Sequence, residues 1–237
     1  MISRNRRLRA NDSIRSLVRE TNLTTNDLVL PMFVMEGNNK KEAISSMPGV
    51  FRQSLDLTVQ TVKENYDLGI KAVNLYMKVA DNLKDNTGKE AWNPNGLMQT
   101  TIKAIKDAVP GVVIMPDVAL DPYSMYGHDG IIKNGKIDND STVEALTKMG
   151  ISLAEAGADI LAPSDMMREG LEENGFTDVG ILSYAVKYAS AFYGPFRSAL
   201  DSAPVDAQEI PADKKTYQMD FHNSREAIDE ALRDVEE

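Results

Sequence analysis

Residues 98–118 read MQTTIKAIKDAVPGVVIMPDV, and the fold class can be read from this one stretch. Met98, Ile102, Ile105 and Val109 recur at helical spacing. Gly111 follows, where a helix favours a left-handed cap, and Val112–Val118 is a short apolar run rich in β-branched residues. The same phrase occurs on both sides. Val59, Val62 and Tyr66 precede Gly69 and the run Lys71–Met77 (KAVNLYM), while Leu146, Met149, Leu153 and Ala156 precede Gly157 and Ala158–Pro163 (ADILAP). Leu28–Val34 (LVLPMFV) opens the series and Gly180–Val186 (GILSYAV) closes it. Strands alternating with helices predict an α/β protein with a parallel sheet buried on both faces.

Five such βα units fit two architectures. A flavodoxin-like open sheet needs five, whereas a closed (β/α)8 barrel needs eight and about 250 residues. The last crossover is tight, since only residues 164–179 lie between the fourth and fifth runs. The final segment, SREAIDEALRDVEE, places Ile228, Leu232 and Val235 on one stripe and predicts an amphipathic helix. No glycine, proline or basic last turn follows it, and Glu236 and Glu237 sit at the unfavourable end of its dipole, which reads as a chain interrupted.

The 237 residues carry 26 Lys and Arg against 36 Asp and Glu, a net charge of −10, with 42% hydrophobic residues. A globular chain of this length buries about 70% of its unfolded surface, so one large domain is expected. No apolar run of about 18 residues is present, and MISRNRRLRANDS lacks an apolar signal core, so a cytoplasmic protein without a membrane partner is expected. Net acidity disfavours nucleic acid as a partner. Zero cysteines exclude disulfides, thiolate zinc sites, iron–sulfur clusters and a cysteine nucleophile. Arg4, Arg6, Arg7, Arg9, Arg15 and Arg19 crowd the first nineteen residues against Asp12 alone. That segment is either a solvated basic arm or one that docks on an acidic surface of another subunit.

Three places can carry chemistry. In Ile181–Arg197 (ILSYAVKYASAFYGPFR), Lys187 is the only charge before Arg197, at the C-terminal end of a strand. An amine held in apolar surroundings becomes a nucleophile toward carbonyls, and the alternative is a lysine that snorkels to the rim. Asp117, Asp121, His128 and Asp129 cluster after the third run, where hard oxygens suit magnesium or a monovalent cation; turn chemistry accounts for the same residues. Arg197, Lys214 and Lys215 flank a long polar loop and can hold a substrate carboxylate.

Taken together, RNRRLRANDSIRSLVRET, LPMFV, SSMPGVFRQS, EAWNP, DVALDPY, GHDG, AGADILAPSDMM, KYASAFYGPFR and TYQMD closely resemble the porphobilinogen synthase family, also called 5-aminolevulinate dehydratase, in the family's own order. The resemblance covers essentially the whole chain. It implies a (β/α)8 TIM barrel of which this chain holds the first five βα units, residues 26–237, behind an N-terminal arm, residues 1–25, that wraps a neighbouring subunit in a homo-oligomer, typically an octamer. It implies a hydro-lyase of haem and tetrapyrrole biosynthesis, condensing two molecules of 5-aminolevulinate with loss of two waters. Lys187 is then a Schiff-base lysine, and Arg197, Lys214 and Gln218 bind substrate.

Zinc-dependent members carry three cysteines where this chain has Ala119, Asp121 and Asp129, so the resemblance points to the magnesium- or monovalent-ion-responsive branch, without zinc. Glu237 matches an allosteric magnesium ligand, while Asp117, Asp121 and Asp129 are candidate metal ligands. Arg15 and Asp165 fall at subunit interfaces. The family's second Schiff-base lysine belongs to a sixth strand beyond Glu237, and its residues after PSDMM are missing before Arg168. Val186 and Tyr126 also depart from the usual pattern. The alternatives are a non-catalytic fragment or assembly partner of the same family, and an aldolase-like enzyme that uses Lys187 alone.

Overall fold

The computed structural model describes residues 3–164, 167–202, 210–211 and 213–236. Asp165 and Glu237, two of the residues singled out above, lie outside them. The strands are β1 (Val29–Met35), β2 (Lys41–Ala43), β3 (Phe51–Ser54), β4 (Ala72–Lys78), β5 (Val113–Val118), β6 (Ile132–Lys133), β7 (Lys136–Ile137), β8 (Ile160–Pro163) and β9 (Gly180–Ile181). The α-helices are α1 (Asp12–Leu17), α2 (Leu55–Asp67), α3 (Leu97–Ala108), α4 (Asn139–Glu155), α5 (Arg168–Glu173), α6 (Gly194–Leu200) and α7 (Ser224–Glu236).

Seven strands form one sheet in the order β2-β3-β1-β4-β5-β8-β9, parallel throughout except for β2. Four of the five predicted runs match β1, β4, β5 and β8 to within about two residues, the ordinary uncertainty of element ends. Their order decides between the two architectures. Each βα unit adds its strand beside the previous one on the same side, as in a barrel wall. A flavodoxin-like sheet instead sends its second unit to the far side of the first. Here that side is taken by β3, which is joined to β1 through β2 with no crossover helix.

Strand alternation sorts the faces. Val73, Leu75 and Met77 of β4 point into the main core with Val62, Ile102, Ile105, Ile114, Met149, Leu153 and Leu161, all of them buried. Each such side chain is worth about 1.5–3 kcal/mol when taken out of water. Asn74 and Tyr76 take the intervening positions and so face the other side of the sheet. Helices α2, α3 and α4 cover the core side in chain order.

Four local features depart from expectation. The fifth strand is assigned only to Gly180–Ile181, yet Leu182 N–H and Tyr184 N–H still donate to Leu161 and Pro163 carbonyls at 2.8 Å, so the parallel ladder continues toward Lys187. Gly69 and Gly157 have φ of 99° and 104°, as a left-handed cap requires, but Gly111 does not have positive φ. Its place is fixed by packing instead: a Cβ there would sit 2.5 Å from the Tyr66 hydroxyl. The hairpin β6–β7 was not anticipated, although Asn134-Gly135 (φ 50° and 75°) is a strong turn signal. Helix α7 forms, but its apolar stripe faces outward: Ile228, Leu232 and Val235 are exposed, while Asp234 accepts a hydrogen bond from Ser183 Oγ. Residues 3–24, including α1, are almost wholly exposed. No described helix is long and apolar enough to cross a membrane.

Candidate active site

The C-terminal ends of β5, β8 and β9 bring the candidate residues together. Asp117 is the penultimate residue of β5, Ser164 follows β8, and Lys187 lies beyond β9 where the ladder runs out. The Lys187 backbone is held from the far side by the segment after the long loop: Met219 N–H donates to its carbonyl at 3.0 Å, and Ala189 N–H donates to Met219 O at 2.9 Å. Its ammonium donates to Ser164 Oγ at 3.2 Å and stands 3.8 Å from Asp129 Oδ2, with the rings of Tyr184 and Tyr193 at 5.7 and 5.9 Å. The surroundings are therefore not the apolar pocket expected from the sequence. The polar groups come from other strands and loops, which the local composition around Lys187 does not show.

Lys214 occupies the middle of the acidic loop. Its side chain is 1% exposed, and its Nζ lies 3.1 Å from each of Asp121 Oδ2, Asp129 Oδ2 and Tyr193 Oη. Ser202 Oγ also donates to Asp121, at 2.9 Å. Burial alone would lower the Lys214 pKa, but the two carboxylates outweigh it and hold the ammonium charged. Asp129 is buried too, yet Lys214 and then Lys187 pull its pKa below the ordinary carboxylate range. Asp121 goes the other way, up to about 6, through burial and the neighbouring Asp129. Asp117 is pushed up to about 8, chiefly by burial, with Lys187 opposing. At neutral pH it is mostly an un-ionised acid.

This donor set does not fit a metal. Among the described residues no three His, Asp or Glu side chains are placed to hold an ion. The cation between Asp121 and Asp129 is the Lys214 ammonium. Residue 214 returns across 93 positions of sequence to place its ammonium beside Asp121 and Asp129, two of the three aspartates read from the sequence as candidate ligands. His128 is buried and neutral, its pKa lowered by burial, with Nε2 donating to Pro211 O at 2.8 Å and Nδ1 near Tyr217 Oη at 3.3 Å.

Two cavities flank Lys187. One of about 670 Å³ is lined by Tyr76, Asp117, Tyr184, Phe192 and Tyr193; the other, about 580 Å³, by Asp129, Ser164, Tyr217 and Gln218. Arg197 stacks its guanidinium 5.3 Å from the Tyr193 ring, and its buried Nε has no hydrogen-bond partner among the described residues. The same holds, among the described residues, for the buried Nε2 of Gln218. Arg15 is exposed in the arm, paired with Asp12 at 3.2 Å. Sequence reasoning missed Asn74, Tyr76 and Tyr184, whose side chains are joined through Tyr184 Oη at 3.2 and 3.3 Å. Polar residues inside the otherwise apolar run KAVNLYM were the available signal.

A family model described as delta-aminolevulinic acid dehydratase matches residues 2–237. The chain belongs to this family. The dehydratase of Bradyrhizobium diazoefficiens is 48% identical over 98% of this chain and 66% of its own length. The chloroplastic dehydratase of Chlamydomonas reinhardtii is 48% identical over 99% of this chain and 63% of its own length. A crystal structure of the Toxoplasma gondii dehydratase, in complex with the reaction product porphobilinogen, superposes with a TM-score of 0.92 at 47% identity, covering 100% of this chain and 68% of that one. The parallel sheet described above is accordingly part of the TIM-barrel fold of this family. The chain spans about two thirds of the length of these relatives.

Proposed function

We propose that this chain takes part in porphobilinogen synthesis, with Lys187 holding 5-aminolevulinate as a Schiff base while two such molecules condense and lose two waters. The observation that carries this reading is Lys187 placed between two cavities, with the neutral acid Asp117 lining one of them. The Lys187 ammonium first gives up a proton to solvent; the free amine then adds to the ketone carbon of the substrate, and one of its protons passes to the oxygen, giving a carbinolamine. Loss of its hydroxyl as water needs a proton, and an un-ionised carboxyl in the same cavity can supply one. The resulting protonated imine withdraws electrons from the adjacent carbon, which eases the proton loss that precedes carbon–carbon bond formation.

Substrate carboxylate recognition falls to Arg197 and Gln218, which line a further cavity of about 700 Å³ between Phe192 and Phe221 and whose buried N–H groups have no partner among the described residues. Lys214 reaches a carboxylate only by giving up Asp121 and Asp129. A magnesium ion at Glu237, a homo-oligomer joined through the arm that carries Arg15, and a cytoplasmic setting complete the proposal.

Borohydride reduction in the presence of 5-aminolevulinate tests it. One reduced adduct is expected on the peptide containing Lys187, and none in Lys187→Met. A chain that stays unmodified with 5-aminolevulinate overturns the catalytic reading and favours a non-catalytic assembly role. Adduct formation with simple aldol substrates but not with 5-aminolevulinate favours an aldolase-like activity.

A further inference from the structure

Arg52 sits on β3 far from Lys187 in sequence, and it is 7% exposed, an unusual place for a guanidinium. Its three polar contacts explain why. Nε donates to the Ala199 carbonyl at 2.6 Å, a second nitrogen donates to the Ser198 carbonyl, and the third pairs with Glu42, its register partner on β2. Ser198 and Ala199 are in the last turn of α6, where the carbonyls have no partner within the helix and favour a cation. Helix α6 has seven residues, too few to persist alone in water.

Further hold on α6 comes from the same hairpin and from β1 and β4. Ser46 Oγ donates to the Pro195 carbonyl at 2.9 Å, and Ile44 packs with Phe33, Ala199 and Leu200 in a small separate core. Phe196 closes that core against Tyr76, ring centroids 4.8 Å apart. Arg197 lies one residue before the carbonyls that Arg52 holds.

Resting on the proposed function, we propose that Arg52 is a positioning residue for substrate recognition: by fixing the C-terminal turn of α6 it aims Arg197 at the cavity between Phe192 and Phe221. It touches no substrate. Its effect therefore runs through affinity and not through the chemistry at the lysine.

Two readouts on the full chain test this in Arg52→Lys, which keeps the charge but at most one of the two carbonyl bonds. In the borohydride assay, the 5-aminolevulinate concentration giving half-maximal adduct formation should rise about tenfold, with the maximal rate changed less than about twofold, as expected for losing one charge-assisted bond that orders a binding group. Arg52→Lys combined with Arg197→Met should be no weaker than Arg197→Met alone. In hydrogen exchange, amide protection over residues 194–202 should fall about tenfold while β1 and β4 stay unchanged. An unchanged half-saturation, an additive double variant, or protection of α6 equal to that of the parent chain overturns the proposal. So does a general loss of protection across β1 and β4, since Arg52 would then hold the whole sheet. If the parent chain forms no adduct, the Lys187 reading fails, and the exchange measurement alone decides whether Arg52 fixes α6.

Discussion

Asp117→Asn should stabilise this protein, and by an amount that grows with pH. The side chain is about 9% exposed, and burial lifts its pKa from an ordinary 3.8 to about 8. Such a raised acid keeps its proton in the folded state while the unfolded chain has already lost it. Stability contributed by the group is therefore present below pH 4 and falls steadily as pH rises to about 8, where it levels off. A displacement of that size corresponds to an upper bound of about 6 kcal/mol; the cavity beside Asp117 admits water, so about 2–3 kcal/mol is expected. Asparagine has nearly the same shape and no charge to lose. Urea unfolding of both proteins should then give a difference near its minimum at pH 4.5, increasing to about 2–3 kcal/mol in favour of Asp117→Asn at pH 8.5, with equal m-values. A difference that is flat between those pH values, or one that shrinks, would refute a buried un-ionised Asp117 and remove the proton donor from the proposed chemistry.

Lys214→Met leaves Asp121 and Asp129 buried without their shared cation and should cost about 3–5 kcal/mol in urea unfolding at pH 8. The loss should shrink toward pH 5, as the two stranded carboxylates take up protons, and Asp121→Asn added to Lys214→Met should restore part of it. Gly111→Ala pushes a methyl against the Tyr66 hydroxyl and should cost about 1–2 kcal/mol, recovered in Gly111→Ala with Tyr66→Phe, since the ring carbon behind that hydroxyl is 3.4 Å from the added atom.

The parts of the fold legible in the sequence are those held by local periodicity. Val59–Tyr66, Met98–Val109 and Leu146–Ala156 carry a full apolar stripe, and their helices form where expected. β2 and β3 carry Lys41, Glu42, Arg52 and Gln53, and these polar residues hide a strand pair whose buried Arg52 is satisfied by α6, about 150 positions away. The candidate site divides the same way. Lys187 and the three aspartates stand out as charges beside apolar runs. Their pairing does not, because which cation faces Asp121 and Asp129 depends on how residues 211–219 return over the sheet. Tyr184 and Tyr76 meet only once β4 and the end of β9 lie on one side of the sheet.

The order of the sheet also sets a schedule for synthesis. Because β1, β4, β5, β8 and β9 are neighbours in the order in which they are made, each can dock on its predecessor soon after it leaves the ribosome, closing only short loops. The contacts that shape the catalytic face belong to the other extreme: Arg52 must wait for Ala199, and Asp121 for Lys214. A nascent chain paused before residue 199 therefore holds the parallel sheet and the side chains nearest Lys187, but neither the cation between Asp121 and Asp129 nor the carbonyl that anchors Arg52, so the candidate site is completed after the sheet and not along with it.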